Sequence, residues 1–209
     1  MSAVPATRRS QESRSAATRQ LLLDATIDCL IELGYAATST TEIVRRAGVS
    51  RGAQVHHFPT KNDLVRSAVA HLAVRQAEEL SRQYERSNGT GDRVSRAMDL
   101  LWSAFTGPLF VASLELIVAA RTDPALRSSL AAFEEGMAEG IRGVCNELFG
   151  TQTMRRRAAH DVVDLTIAMM HGLAFARLLD GSNEREDRLI GTWKRAVRPL
   201  LEERGEGRG

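Results

Sequence analysis

Apolar positions fall on one side of a helix wherever the chain shows a pattern at all. Between Ala17 and Leu33, the residues Leu22, Ala25, Thr26, Cys29, Leu30 and Leu33 stand at i, i+3, i+4, i+7, i+8 and i+11, the spacing of one buried helical stripe. A long helix is predicted from Lys61 towards Ser87, with Val65, Ala68, Val69 and Leu72 on one face, ending at the Ser87-Asn88-Gly89-Thr90-Gly91 loop. Beyond Asp92 the breakers are Gly107-Pro108, Asp123-Pro124, Gly150-Thr151 and Asp180-Gly181-Ser182, with only helical periodicity between them. The segments are Arg93–Phe105, Leu109–Arg121, Ala125–Phe149, Met154–Leu179 and Asn183–Glu203. The pattern thus predicts an all-α protein of about nine helices. Pro199 predicts a kink or an early end in the last helix, because it removes a backbone hydrogen bond.

Helix start and stop signals crowd into residues 38–63. Ser39 and Glu42 have the S/T-x-x-E spacing of a reciprocal cap. Gly48 stops that helix, Ser50 caps the next, and Pro59 ends it. Thr60 and Asp63 then repeat the start signal. Two short helices joined by Ala47-Gly48-Val49-Ser50 form the layout of a helix-turn-helix, which lays its second helix in the DNA major groove.

The span from about Arg19 to Leu64 resembles the DNA-binding domain of the TetR/AcrR repressors. Gly34-Tyr35, Glu42-Ile43, Ala47-Gly48-Val49-Ser50, His57-Phe58, Lys61 and Leu64 stand in the order of that family's signature. Residues 1–16, rich in Ser, Ala and Arg and without periodicity, are expected to form a disordered basic arm. The resemblance implies a three-helix helix-turn-helix domain over 17–62 and a larger helical domain for ligand binding and dimerisation over 63–205. It also implies partners: a double-stranded DNA operator, a small-molecule effector and a second copy of the chain.

On this resemblance Arg51 is the principal base reader, since its planar fork matches O6 and N7 of guanine. Gly52 and Ala53 are small enough for close approach, and Gln54 is a candidate for adenine. Thr40, Thr41, His56, His57 and Lys61 are candidate phosphate contacts, with packing against a neighbouring helix as the other role open to the histidines. One place departs from the family, which commonly has Leu-Tyr where this chain has Gln54-Val55. Either the helix rotates to bury Val55 and aim Gln54 at DNA, or Gln54 is tucked at the domain seam.

Charge supports the division. Residues 1–75 hold ten Lys/Arg against six Asp/Glu, and the remainder holds eighteen against twenty, so the basic excess lies with the helix-turn-helix. Arg8, Arg9 and Arg14 belong to the arm, which either stays disordered or follows flanking phosphates.

In the larger part, Trp102, Phe105, Phe110, Leu114, Met137 and Met169 are candidates to line an apolar ligand pocket or to form plain core. Glu115, among apolar neighbours, either pairs with an arginine such as Arg121 or faces the cavity. In the resembled family the last two long helices pair with their symmetry mates, which makes Leu189, Ile190, Trp193 and Val197 candidates for the dimer interface; an intramolecular core is the alternative.

Several classes drop out. There is no Gly-x-Ser-x-Gly, His-Glu-x-x-His, phosphate-loop or dinucleotide motif, so the chain reads as a non-enzyme. His160, Asp164 and His171 share a helix face, but the two histidines are nearly three turns apart and cannot share an ion alone, so no metal and no cofactor are expected. Cys29 and Cys145 lie far apart on apolar patterns, as reduced thiols would. The apolar run Leu109 to Ala120 is interrupted by Glu115 and too short for a bilayer, and the N-terminus does not look like a secretory signal. The expectation is a cytoplasmic homodimeric regulator, a repressor released from a palindromic operator by a mostly apolar ligand. The rival of the same fold is an activator or chromosome-organising DNA binder without such a switch.

Overall fold

The computed structural model describes residues 6–86, 92–181 and 184–201. Among them there are ten helices and no strand: α1 (Ala6–Ala37), α2 (Thr40–Ala47), α3 (Arg51–His57), α4 (Lys61–Arg86), α5 (Arg93–Thr106), α6 (Pro108–Ala120), α7 (Pro124–Phe149), α8 (Thr151–Met154), α9 (Arg157–Asp180) and α10 (Glu184–Leu201). The all-α expectation holds, and the helix beyond the nine expected is the single turn α8. The Ser87–Gly91 loop and Ser182 fall outside the described residues.

The largest difference is at the start. Helix α1 begins at Ala6 rather than near Ala17, so residues 6–16 of the expected disordered arm are helical. Ala, Arg, Gln and Glu there have high helix propensity, and no Gly or Pro interrupts them. Residues 11–17 are exposed, so propensity and not burial supports this stretch. At the other end, Pro199 leaves α10 helical to Leu201.

The chain forms two compact units. The first combines Met1–Gln76 with Pro108–Gly136, the second Ala77–Gly107 with Met137–Gly209. The chain passes from one to the other within α4, between α5 and α6, and within α7.

In the first unit the expected stripe of α1 is buried at Leu22, Ala25, Thr26, Cys29 and Leu30, while Leu33 is exposed. Ile43 of α2 and Leu64, Val65, Ala68, Val69 and Leu72 of α4 complete this core. Polar links tie α4 to α1: His71 Nε2–H donates to Asp24 Oδ1 at 2.7 Å. Helix α1 also packs on α6.

The second unit has its own core of Val94, Met98 and Leu101 from α5, Ile141, Leu148 and Phe149 from α7, Val162 and Met170 from α9, and Val197 and Leu201 from α10. Two of its ion pairs stand at the edge, Lys194 with Asp99 at 2.6 Å and Arg198 with Asp92 at 2.8 Å, while Arg177 meets the buried Glu186 at 2.9 Å. Helix α9 is long and apolar enough to cross a membrane by length and composition. It packs instead on α5 and α10, with one side left bare.

Candidate nucleic-acid interface

The turn forms from its caps. Ser39 Oγ accepts from the Glu42 N–H at 3.2 Å, and Ser50 Oγ from the Ala53 N–H at 3.1 Å. Between them Gly48 closes α2 in the left-handed region, φ 65° and ψ 28°, a conformation that glycine adopts without steric cost. Thr60 and Asp63 make the full reciprocal box: Thr60 Oγ1 accepts from the Asp63 N–H, and Asp63 Oδ2 from the Thr60 N–H. Ser39 and Glu42 make half of one. The Glu42 carboxylate is taken by Arg45 at 2.6 Å and Arg46 at 2.8 Å, and Arg46 reaches on to Glu32 of α1. These hydrogen bonds hold the Glu42 carboxyl at about 2.

Helix α3 has two distinct sides. Arg51, Gly52, Val55 and His56 are exposed, while Gln54 is buried to 1% exposure. Of the two alternatives at Gln54-Val55, Gln54 is the residue inside and Val55 the one outside, so Gln54 is corrected as a base reader. Its Nε2–H donates to the Phe58 carbonyl oxygen, which a helix ending in extended backbone leaves without an intrahelical donor. Its Oε1 is buried without a partner.

Arg51 and Thr40, eleven residues apart, are brought together: an Arg51 Nη1–H donates to Thr40 Oγ1 at 2.8 Å. Thr41 is exposed beside them and Ala53 is half-buried. Lys61 is engaged within the protein. Its Nζ donates to the Tyr35 carbonyl at 3.1 Å and lies 4.6 Å from the Tyr35 ring centroid, and burial lowers its pKa. His57 is half-buried; burial, then the charges of His56 and Arg19, push its imidazole towards the neutral form. Arg19 of α1 lies 5.2 Å from the centroid of the Phe58 ring.

The pocket candidates divide between the units. Trp102, Phe105, Met137 and Met169 pack, partly buried, against the core of the second unit, where the Phe105 ring meets His171 edge-on at 4.5 Å. Phe110, Leu114 and Glu115 belong to the first unit. Glu115 Oε2 accepts from the Tyr35 backbone N–H at 2.6 Å, and among the described residues the carboxylate makes no ion pair with Arg121. Beside it, Gly34 breaks the helical path of α1 with φ 74° and ψ 172°, which frees that N–H for a side-chain acceptor.

Of the dimer candidates, two are buried within the monomer and two are half-buried. Ile190 and Val197 are buried within their own unit, and Trp193 packs there too, its indole N–H donating to Thr166 Oγ1 at 2.8 Å. Leu189 is half-buried. Helical spacing reveals an apolar face but not which surface covers it. On these last two helices the exposed apolar side chains include Leu165, Phe175, Leu178 and Leu179 of α9 and Leu200 of α10. Among the described residues no three His, Cys, Asp or Glu gather as a metal site would require; His171 Nδ1–H instead donates to the Ile167 carbonyl at 3.0 Å.

Capped helices around a left-handed glycine turn, with an exposed face on the second, define a helix-turn-helix DNA-binding protein. Residues 22–68 match the family model described as bacterial regulatory proteins, tetR family. The regulator CymR of Pseudomonas putida is 31% identical over 182 residues, 87% of this chain and 90% of that protein. The chain belongs to the TetR family of DNA-binding transcriptional regulators. BetI of Serratia proteamaculans is 41% identical over a shorter stretch of 54 residues, 26% of this chain and 27% of that protein. Among solved structures, Salmonella enterica GusR superposes with a TM-score of 0.63 at 18% identity, covering 88% of this chain and 95% of that one. EbrR, a multidrug binding protein complexed with imidazole, does so with 0.60 at 21%, covering 90% and 97%.

Proposed function

We propose that this regulator is a cytoplasmic, homodimeric repressor that binds a palindromic operator and leaves it when a small, mostly apolar ligand occupies the larger helical part. The observation that carries the DNA-reading half is the exposed face of α3, with Arg51 tethered to Thr40 at 2.8 Å at its start. Arg51 reads guanine, Gly52 and Ala53 allow close approach, and Thr40, Thr41, His56, His57 and Lys61 position phosphates. For Lys61 and His57 this requires release of internal contacts or uptake of a proton on binding. Gln54 acts from inside, setting the rotation of α3.

A single helix-turn-helix covers few base pairs, so two copies read half-sites about 34–36 Å apart. The bare leucines and phenylalanine of α9 are the surface that supports pairing. The ligand half draws support from the half-buried Trp102, Phe105, Met137 and Met169 around one core, and from EbrR, described as a multidrug binding protein. Ligand release follows if the ligand favours a dimer geometry whose recognition helices no longer match the half-site spacing.

Selection of bound duplexes from a random pool tests the reading. A palindrome with half-sites one turn apart is expected; enrichment of no sequence overturns it. A thermal-shift screen tests the switch, since a ligand of the folded state raises the melting temperature. At least one stabilising apolar compound should also weaken operator binding. If none does, the switch fails and the activator or chromosome-organising reading takes its place.

A further inference from the structure

We infer that Val55 reads sequence: its isopropyl group takes the C5-methyl of one thymine in each half-site. This rests on the proposed DNA binding and adds to it a residue and a base. Val55 is 46% exposed while its neighbour Gln54 is 1% exposed. The rotation of α3 is thus pinned from inside, by Gln54 bonded to the Phe58 carbonyl and by the buried Phe58 ring. Arg51 stands four residues before Val55, so the two share a face one turn apart, and both are exposed together with Gly52 and His56. Gly52 contributes no side chain, which leaves Val55 as the large apolar group on that face.

An isopropyl group has no hydrogen to donate to a phosphate. Set against a hydrogen-bonding base edge it would strip water from a polar group and return no bond. The thymine methyl is the one apolar group that the base pairs present in the major groove. Arg51 and Val55 together then read a guanine and a nearby thymine, one by hydrogen bonds and the other by apolar contact.

The test uses the full-length protein and its selected duplex, with each half-site thymine replaced in turn by deoxyuridine. This removes the methyl and leaves every hydrogen-bonding group in place. Wild type should lose about fourfold in affinity at one thymine per half-site, the worth of roughly one methyl-sized group taken from water. Val55→Ala, a change at an exposed position, should bind the thymine and uracil duplexes alike at that position and behave as wild type at the others. If no thymine shows a loss with wild type, or the loss persists in Val55→Ala, the inference is overturned. Failure of the DNA-binding reading is distinguishable, because no specific duplex would then be selected.

Discussion

Glu115 of α6 accepts a hydrogen bond from the backbone N–H of Tyr35, 80 residues earlier in the chain, at 2.6 Å. A break in local order makes this possible. Gly34 leaves the helical path, and the N–H that follows takes a carboxylate oxygen as its acceptor. The other side of the same residue is held too, since the Tyr35 carbonyl accepts from Lys61. Helices α1, α4 and α6 therefore meet at Tyr35, at the entrance to the helix-turn-helix.

Substitution on either side of this contact should destabilise the protein. Gly34→Ala forces a Cβ onto backbone at φ 74° and ψ 172°, a region almost reserved for glycine, and places it 3.1 Å from Glu115 Oε2. A loss of about 1–3 kcal/mol is expected in urea unfolding. Glu115→Ala leaves the Tyr35 N–H without its acceptor and should cost ~1–3 kcal/mol, whereas Glu115→Gln retains a carbonyl oxygen and should cost less. Equal losses for the alanine and glutamine variants would argue against the hydrogen bond.

At Gln54 the chemistry demands a donor. Gln54→Glu conserves shape but presents a carboxylate to the Phe58 carbonyl in a buried place, and a loss of roughly 2–4 kcal/mol is expected near neutral pH. Only the protonated acid can donate, so the folded-state pKa of the new group lies above its unfolded value. Its favourable contribution is then present at low pH and lost as pH rises through the folded pKa. The deficit against wild type should shrink on acidification; a deficit independent of pH would point to packing alone.

Glu42 titrates in the opposite sense. Hydrogen bonds from Arg45 and then Arg46 lower its pKa from 4.5 to about 2. Its contribution to stability is therefore complete above 4.5 and lost as pH falls towards 2. Between those values the melting temperature of wild type should fall more steeply than that of Glu42→Gln. Parallel curves would remove Glu42 from the acid limb.

The proposed pairing surface can be separated from the core beneath it. Leu179, 77% exposed, is the better probe of assembly, and Val197, at 1%, of the fold. Leu179→Glu should yield a folded monomer on a sizing column, with weakened operator binding. Val197→Ala should keep the oligomeric state and lower stability, by roughly 0.5–3 kcal/mol. A dimer that survives Leu179→Glu, and charges at Phe175 and Leu178 as well, would move the interface elsewhere.

Local rules made the helix-turn-helix legible in advance. A cap needs a hydroxyl or carboxylate a few residues from a free N–H, and a left-handed turn needs glycine, so Ser50, Thr60, Asp63 and Gly48 announce their geometry from position alone. The helical segments were readable for the same reason, because burial of one face imposes a period on the chain. Residues 6–16 carry no apolar stripe, so periodicity predicts no helix where α1 begins. What no spacing rule contains is the surface that covers an apolar or charged side chain. Gln54 goes inside and Val55 outside, Glu115 finds a backbone donor 80 residues away, and Ile190 and Val197 close on their own unit while α9 keeps leucines bare. Each depends on which distant element packs alongside, and only the folded chain brings those elements together.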